Sequence, residues 1–120
     1  MMIKKLFHSF IHAVRGLVFA FNTQQNFRIH LLAFGLVIIA GCIYSLNLVE
    51  WVLILGCCCL VITTELINTA IEELCNKLHP EKDSQIGKVK DIAAAAVLVT
   101  AIFAFIVGLL IFGNKIIAHF

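Results

Sequence analysis

Three long apolar stretches dominate the hydrophobic pattern of this chain. The first, residues 31–46, contains no charged residue, and apolar residues just before it extend it to the roughly 20 residues needed to cross the hydrocarbon core of a bilayer. The second begins at Trp51 and must continue through the segment ELINTAIEEL to be long enough, and the third covers residues 92–113. The pattern therefore predicts three membrane-spanning helices, at residues 29–47, 50–76 and 88–114.

Two segments outside these stretches have a different pattern. In residues 1–25, apolar residues recur at three- and four-residue spacing, and the basic residues and histidines lie on the opposite side of the same helix. These polar residues interrupt what would be the apolar core of a signal peptide, and no small-residue cleavage site follows. We expect an amphipathic helix at residues 1–25, lying in the membrane interface, and a polar cytoplasmic loop at residues 77–87.

Composition indicates a single integral membrane unit. Apolar residues make up 62% of the 120 residues and charged residues only 13%, whereas about a quarter of the residues in a soluble domain are charged. No low-complexity tract or Gly/Ser-rich linker marks a second domain. We therefore expect one all-α integral membrane unit, and no nucleic-acid partner.

The basic residues are distributed unevenly along the chain. All of them except Lys115 flank the same ends of the predicted spans. The positive-inside rule then places the N-terminus in the cytoplasm and the C-terminus outside. The second span runs from outside to inside in this orientation, so Glu72 lies nearer to the cytoplasm than Glu65.

Polar residues form one stripe on the second predicted span. At 100° per residue, Glu65, Asn68 and Glu72 fall within about 100° of one another, whereas Glu73 is turned roughly 80° away from Glu65. A charged residue at the centre of a span costs about 2.5–3.5 kcal/mol, so such groups must face a partner, a bound cation or water. Two carboxylates and an amide on one stripe favour a cation site.

The order of these groups along the membrane normal suits phosphoryl transfer from a soluble nucleotide to a lipid hydroxyl. Glu72 would hold Mg²⁺, and Lys90 would meet phosphate as a point charge. Glu65, about two turns deeper, would accept the proton of the lipid hydroxyl. The chain has no GxxxxGK[ST] loop and no protein-kinase signature, so the residues alone indicate only a site for anions and cations at the inner membrane surface.

The polar stripe also permits interpretations without phosphoryl transfer, and the residues alone leave them open. Glu72 could pair with Lys90 or Arg28 across the helix bundle, and Asn68 could serve only in helix packing. The whole chain could be a small proton-coupled transporter, although Lys90 and Asp91 beside a helix start have no use there. It could also be a catalytically inactive membrane scaffold.

The segment ELINTAIEELCNKL, followed after a short loop by GKVKDIAAAAVLV, resembles the signature region of the prokaryotic diacylglycerol kinase family, small membrane kinases that include undecaprenol kinase. The shared patterns are E-x-x-N-[ST]-A-x-E and K-D-x-x-x-A-A-V. FIHAVRGLVFAF resembles the surface helix of the family, and NFRIH resembles the entry to its first span. The resemblance extends over residues 7–113.

This resemblance implies a homotrimer of three-span subunits in the bacterial inner membrane, with active sites shared between neighbours. It implies transfer of the γ-phosphate of ATP, with Mg²⁺, to the hydroxyl of a lipid alcohol. By position it assigns the catalytic base to Glu65 and the metal carboxylate to Glu72. The nucleotide side would be formed by Asn68, Gly87, Lys90, Asp91 and Arg15.

Two positions depart from the family pattern. Gln24 stands where the family usually has a second metal carboxylate, and Asn76 stands where many members have Asp. An amide can coordinate a cation through its carbonyl oxygen, but it supplies no charge. Gln24 is therefore expected to be a neutral metal ligand, and the site carries less negative charge than is usual in the family.

Two histidine-containing segments bear on the lipid acceptor. NFRIH and the His-Pro pair of LHPEKD resemble the undecaprenol kinase branch more than the diacylglycerol branch, and they favour undecaprenol as the acceptor. His30 and His79 are also explained simply as interfacial histidines, and His79-Pro80 is expected to end the second span.

Overall fold

The structure, a computed structural model that describes residues 1–120, consists of four α-helices and confirms the expected all-α architecture. The helices are α1 (Met2–Thr23), α2 (Gln25–Ile43), α3 (Leu48–Leu78) and α4 (Ser84–His119). Both α2 and α4 pack against α3, whereas the backbones of α2 and α4 do not approach each other closely, and α1 lies against α2 and α3. The helix α3 is therefore the centre of the fold.

The helices α2, α3 and α4 are each long and apolar enough to cross a membrane, as the apolar stretches predict. Most of their large apolar side chains are exposed on the single chain, and exposed apolar area on this scale requires lipid or another protein surface to cover it. The helix α1 buries only Ala20. Its location in the membrane interface stays a prediction.

The helix ends differ from the predicted limits of the spans because local capping decides them. The helix α2 ends at Ile43, and Ser45 then adopts φ 53°, in the left-handed region. The amide of Leu46 donates to the carbonyl oxygen of Gly41 at 3.1 Å, which completes a Schellman-type end to the helix. Asn47 and Glu50 then form a reciprocal capping box that starts α3.

The connection between α3 and α4 is shorter than the predicted polar loop. Asp83 accepts hydrogen bonds from the amides of Gln85 and Ile86, at 3.1 and 3.0 Å, so α4 begins at Ser84. Only residues 79–83 lie between the two helices. Where the membrane surfaces fall along these helices stays a prediction.

A close contact between α2 and α3 sets their relative position at the end far from the predicted site. A Cβ atom added at Gly41 would lie 2.6 Å from the ring of Trp51. Trp51 packs on a buried cluster of Leu46, Ile54 and Ile111. Gly41 therefore lets the two helices approach more closely than any larger residue would.

Candidate functional site

One face of α3 holds the only buried polar residues of the structure, Glu65, Asn68 and Thr69. Their spacing of three and four residues brings them onto the same side of the helix, as the sequence predicts. The hydroxyl of Thr69 donates to the backbone carbonyl of Glu65 at 3.0 Å, so Thr69 is satisfied within its own helix. The chemistry of this face therefore depends on Glu65 and Asn68.

The carboxylate of Glu65 lies against α2. Its residue is only 2% exposed, and its one ion-pair contact is with His30, whose Nε2 lies 3.8 Å from Oε2. This distance is too long for a hydrogen bond but is within ion-pair range. On the other side of the site, the hydroxyl groups of Thr64 and Thr100 are 3.0 Å apart and connect α3 to α4.

Asn68 and Glu72 contact each other one turn apart. Asn68 Nδ2 donates to Glu72 Oε1 at 3.2 Å, while Asn68 Oδ1 is buried and has no hydrogen-bond partner. Leaving a buried carbonyl oxygen unpaired is costly, and such atoms call for an explanation such as a bound ion or water. The half-buried carboxylate of Glu72 and the free oxygen of Asn68 are both oxygen donors, the kind that Mg²⁺ prefers.

These oxygen donors fit Mg²⁺ only as a partial set of ligands. No group of three or more His, Cys, Asp or Glu side chains converges anywhere in the structure. Magnesium usually keeps several waters and binds one or two carboxylates together with substrate phosphates. A cation at Glu72 would therefore depend on phosphate oxygens for much of its coordination.

Lys90 reaches α3 at Asn76, one turn beyond Glu72. Its Nζ donates to Asn76 Oδ1, and it forms no ion pair with Glu72. Arg28 instead donates to the backbone carbonyl of Phe21 at 2.6 Å. The interpretation that Glu72 is neutralised by Lys90 or Arg28 is therefore wrong for this structure.

A polar cavity of about 480 Å³ lies where α3 turns into α4. Gly87 and Lys90 line it, together with the residues from Pro80 to Ser84. A Cβ added at Gly87 would meet no atom within 4 Å, so the protein's own packing does not require a glycine at this position. The volume is in the range of sites that bind small molecules.

The remaining predicted site residues stand apart from this cluster. Arg15 is exposed on α1, and Asp91 is exposed on α4. Gln24 is half-buried at the break between α1 and α2, where the backbone is extended with φ −112° and ψ 109°. None of these three side chains forms a hydrogen bond or ion pair with Glu65, Asn68 or Glu72.

An apolar groove of about 450 Å³ runs between α2, α3 and α4. It exists because α2 and α4 both pack on α3 while their backbones stay apart. Apart from the thiols of two cysteines, the only polar side chain among its 15 lining residues is that of His30. The α4 wall runs from Ala101 to Phe112, about 16 Å at the rise of an α-helix. The groove therefore has a polar end beside Glu65 and an apolar body.

The sequence assigned no catalytic role to His30. The feature of the sequence that could have indicated a role is its position, as a lone histidine at the start of an otherwise apolar span. Whether it faces α3 depends on the rotation of α2 about its own axis, which periodicity does not reveal because α2 is apolar on all sides. The structure brings it to Glu65.

Comparison with known proteins identifies relatives of the whole chain. The sequence profile of the prokaryotic diacylglycerol kinase family matches residues 11–112. Undecaprenol kinase of Bacillus subtilis is 36% identical over 95% of this chain and 93% of its own length. Diacylglycerol kinase of Synechocystis sp. is 40% identical over 83% of this chain, but the match covers only 58% of that protein.

A more distant relative is the diacylglycerol kinase of Escherichia coli, which is 30% identical over 77% of this chain and 75% of its own length. The family profile covers the polar face of α3, the cavity beside Gly87 and the groove. This breadth confirms the family to which the sequence motifs pointed. The chain belongs to the prokaryotic diacylglycerol kinase family and is a phosphotransferase.

Proposed function

We propose that this chain transfers the γ-phosphate of ATP to the hydroxyl of a membrane lipid alcohol in the bacterial inner membrane. The observation that carries the proposal is the placement of Glu65, buried beside the histidine that forms the polar end of an apolar groove, on the same helix face as Asn68 and Glu72. A lipid chain fits the groove, and a phosphate-bound cation fits the carboxylate and amide oxygens. Family membership favours this reaction over proton-coupled transport.

Nucleotide binding is assigned to the cytoplasmic end of α3 and α4. The cavity lined by Gly87 and Lys90 has the size to take part of ATP, and its lining includes the ammonium groups of Lys82 and Lys90 beside the carboxylates of Glu81 and Asp83. Lys90 would leave Asn76 to meet phosphate, as a point charge suited to that role. Asp91 and Arg15 are proposed to complete this side of the site.

Glu72, with Asn68 Oδ1, would hold Mg²⁺ beside the phosphates, and Gln24 would add at most a neutral oxygen. When bound, Mg²⁺ supplies positive charge against the phosphate oxygens of the nucleotide. Asn68 also fixes the Glu72 carboxylate through its amide hydrogen bond. A site with so few protein ligands is expected to bind the cation mainly as its ATP complex.

Glu65 is the proposed general base. It lies seven residues from Glu72 on α3, about 10 Å along the helix axis, which leaves room for a phosphoryl group and a lipid hydroxyl between the two carboxylates. Burial keeps bulk water away from this end, and so disfavours hydrolysis of ATP over transfer to the lipid. Glu65 would accept the proton of the lipid hydroxyl as its oxygen bonds to the γ-phosphorus, while the bond from that phosphorus to the β-phosphate oxygen breaks and ADP leaves.

Undecaprenol is the proposed acceptor in preference to diacylglycerol. The match to the Bacillus subtilis undecaprenol kinase extends over nearly the whole of both chains. A single groove also suits an alcohol with one hydrocarbon chain better than a glycerolipid with two. The segment NFRIH, whose histidine lies at the polar end of the groove, points the same way.

The assembly and orientation proposed are a homotrimer with shared active sites and a cytoplasmic N-terminus. The exposed apolar faces of α2 and α4 offer surfaces for neighbouring subunits as well as for lipid. The cavity beside Gly87 lies at the end of the chain's spans where basic residues gather, which supports a cytoplasmic location.

The proposal is tested with purified protein in lipid or detergent, given Mg²⁺ and ATP labelled at the γ-phosphate. Undecaprenol and diacylglycerol are offered in parallel, and label in each lipid is counted. We expect faster transfer to undecaprenol, and loss of turnover in Glu65→Gln and in Glu72→Gln.

Glu73→Gln is the matched control, because Glu73 is exposed on the same helix and should tolerate the change. Failure of the wild-type protein to phosphorylate either lipid would refute the kinase proposal. Faster transfer to diacylglycerol would refute only the choice of acceptor.

A further inference from the structure

The contact between His30 and Glu65 is not used by the reaction proposed above. His30 Nε2 lies 3.8 Å from Glu65 Oε2, and it is the only ion-pair contact of that carboxylate. His30 belongs to α2 and Glu65 to α3, so the contact joins two separately packed helices.

The surroundings of Glu65 give the carboxylate few other polar partners. The titratable groups near the carboxylate are His30 from α2 and Glu72 from α3 itself. Thr69 bonds the backbone carbonyl of Glu65 and not its carboxylate. The side chain has three rotatable bonds, so without a partner its carboxylate would not be fixed relative to the end of the groove.

His30 is well placed to supply that constraint. Phe27, three residues earlier on α2, is only 2% exposed and anchors this turn of the helix in the protein. The side chain of His30 is 26% exposed and lines the groove, so the proposed base adjoins the groove at this side chain.

We propose that His30 is a positioning residue, which holds the Glu65 carboxylate toward the polar end of the apolar groove where the lipid hydroxyl arrives. This inference rests on the proposed function. Nε2–H would donate to the carboxylate, and the distance of 3.8 Å would shorten when substrate closes the site, as contacts between catalytic groups commonly do. Through His30, the packing of α2 thereby determines where the carboxylate of the proposed base on α3 lies.

The test compares His30→Ala with His30→Gln in the lipid kinase assay. We expect His30→Ala to lower kcat by roughly tenfold to a hundredfold, because misplacement of a catalytic group by about 1 Å has effects of this size. KM for ATP should change little, since His30 is remote from the cavity beside Gly87. His30→Gln should recover much of kcat, because its amide can also donate to the carboxylate.

His12→Ala is the matched control, since it removes a histidine that is exposed on α1. The unfolding midpoint of each variant is measured alongside turnover. Wild-type kcat in His30→Ala would overturn the proposal, as would a loss of kcat that merely follows a loss of folded protein and is not recovered by His30→Gln. A wild-type protein with no lipid kinase activity would overturn the proposed function, and this inference with it.

Discussion

The two polar atoms of the buried Asn68 side chain have different surroundings. Its nitrogen holds Glu72 at 3.2 Å, and its oxygen is left without a partner. A residue that served only to join helices would use both atoms within the protein. At residue scale, the proposed site therefore contains the Glu72 carboxylate, held by Asn68, and the unpaired oxygen of Asn68. Glu65 is a separate group, in contact with His30.

Gly87 offers a prediction in which stability and function should move in opposite directions. A Cβ there meets no atom of the protein within 4 Å, and alanine is favoured over glycine in a helix by about 0.5–1 kcal/mol. Gly87→Ala should therefore stabilise the fold slightly, yet raise KM for ATP several-fold because the methyl group projects from a wall of the proposed nucleotide cavity.

The measurements are the unfolding midpoint and the ATP dependence of turnover. Gly113→Ala is a suitable control, since its Cβ is equally free of contacts and it lies near the opposite end of α4. Equal KM values for ATP in wild type and Gly87→Ala would show that the nucleotide does not approach this glycine.

At the scale of helices, α3 is the element against which the other three helices pack. It carries the polar face, supports α2 and α4 on different sides, and is held at its first turn by the Asn47–Glu50 capping box. Lys115 on α4 lies 3.0 Å from Glu50 and ties the two helices together at that end. Contacts with α4 thus hold α3 near both of its ends, at Glu50 and at Asn76.

Gly41 tests how strictly the spacing of α2 and α3 is set. In Gly41→Ala the added Cβ would lie 2.6 Å from Trp51, so the helices or the indole must shift. Overpacking of this kind costs about 1–3 kcal/mol. We expect a lower free energy of unfolding, measured by denaturant titration in detergent, together with reduced turnover because His30 moves with α2.

Gly35→Ala is the internal comparison for this change. It lies on the same helix, and its Cβ would meet nothing within 4 Å, so it should not destabilise the protein. A second change, Trp51→Phe, should restore part of the stability of Gly41→Ala by making room for the methyl group. If the two alanine variants unfold alike, the helix spacing is not set by this contact.

The sequence predicted what lies within one helix better than what lies between helices. Glu65, Asn68 and Glu72 share a face because their spacing alone dictates it. The end of α2 was not predictable, because Ser45 takes a left-handed conformation that is unusual for a residue other than Gly, Asn or Asp. Likewise Lys90 donates a hydrogen bond to Asn76 and does not pair with Glu72. This partner depends on how the short connection at residues 79–83 sets α4 against α3.

At the scale of the whole molecule, the single chain is an open arrangement of helices. Only 14 of its 120 residues are buried, so its stability must draw on lipid or on another protein surface that covers its apolar faces. The two proposed binding regions lie at different levels along the helices, with the cavity at the connection between α3 and α4 and the polar end of the groove at His30, beside Glu65.

The orientation of the molecule can be checked with reporter fusions at residue 120. The predicted topology has an odd number of spans and a cytoplasmic N-terminus, so the C-terminus should lie outside. Alkaline phosphatase fused there should be active in intact cells, and green fluorescent protein fused there by the same linker should be dark. The reverse pattern would place the proposed nucleotide cavity on the wrong side of the membrane for cytoplasmic ATP.

The groove between α2 and α4 has a kinetic consequence, because the backbones of these two helices do not approach each other closely. A lipid can enter it sideways, by diffusion within the membrane plane, without passing through water. The quantity that saturates the enzyme is then the mole fraction of acceptor among the surrounding lipids, not its amount per volume of solution. Diluting the acceptor with inert lipid or detergent at constant total acceptor should slow turnover, while adding water should not.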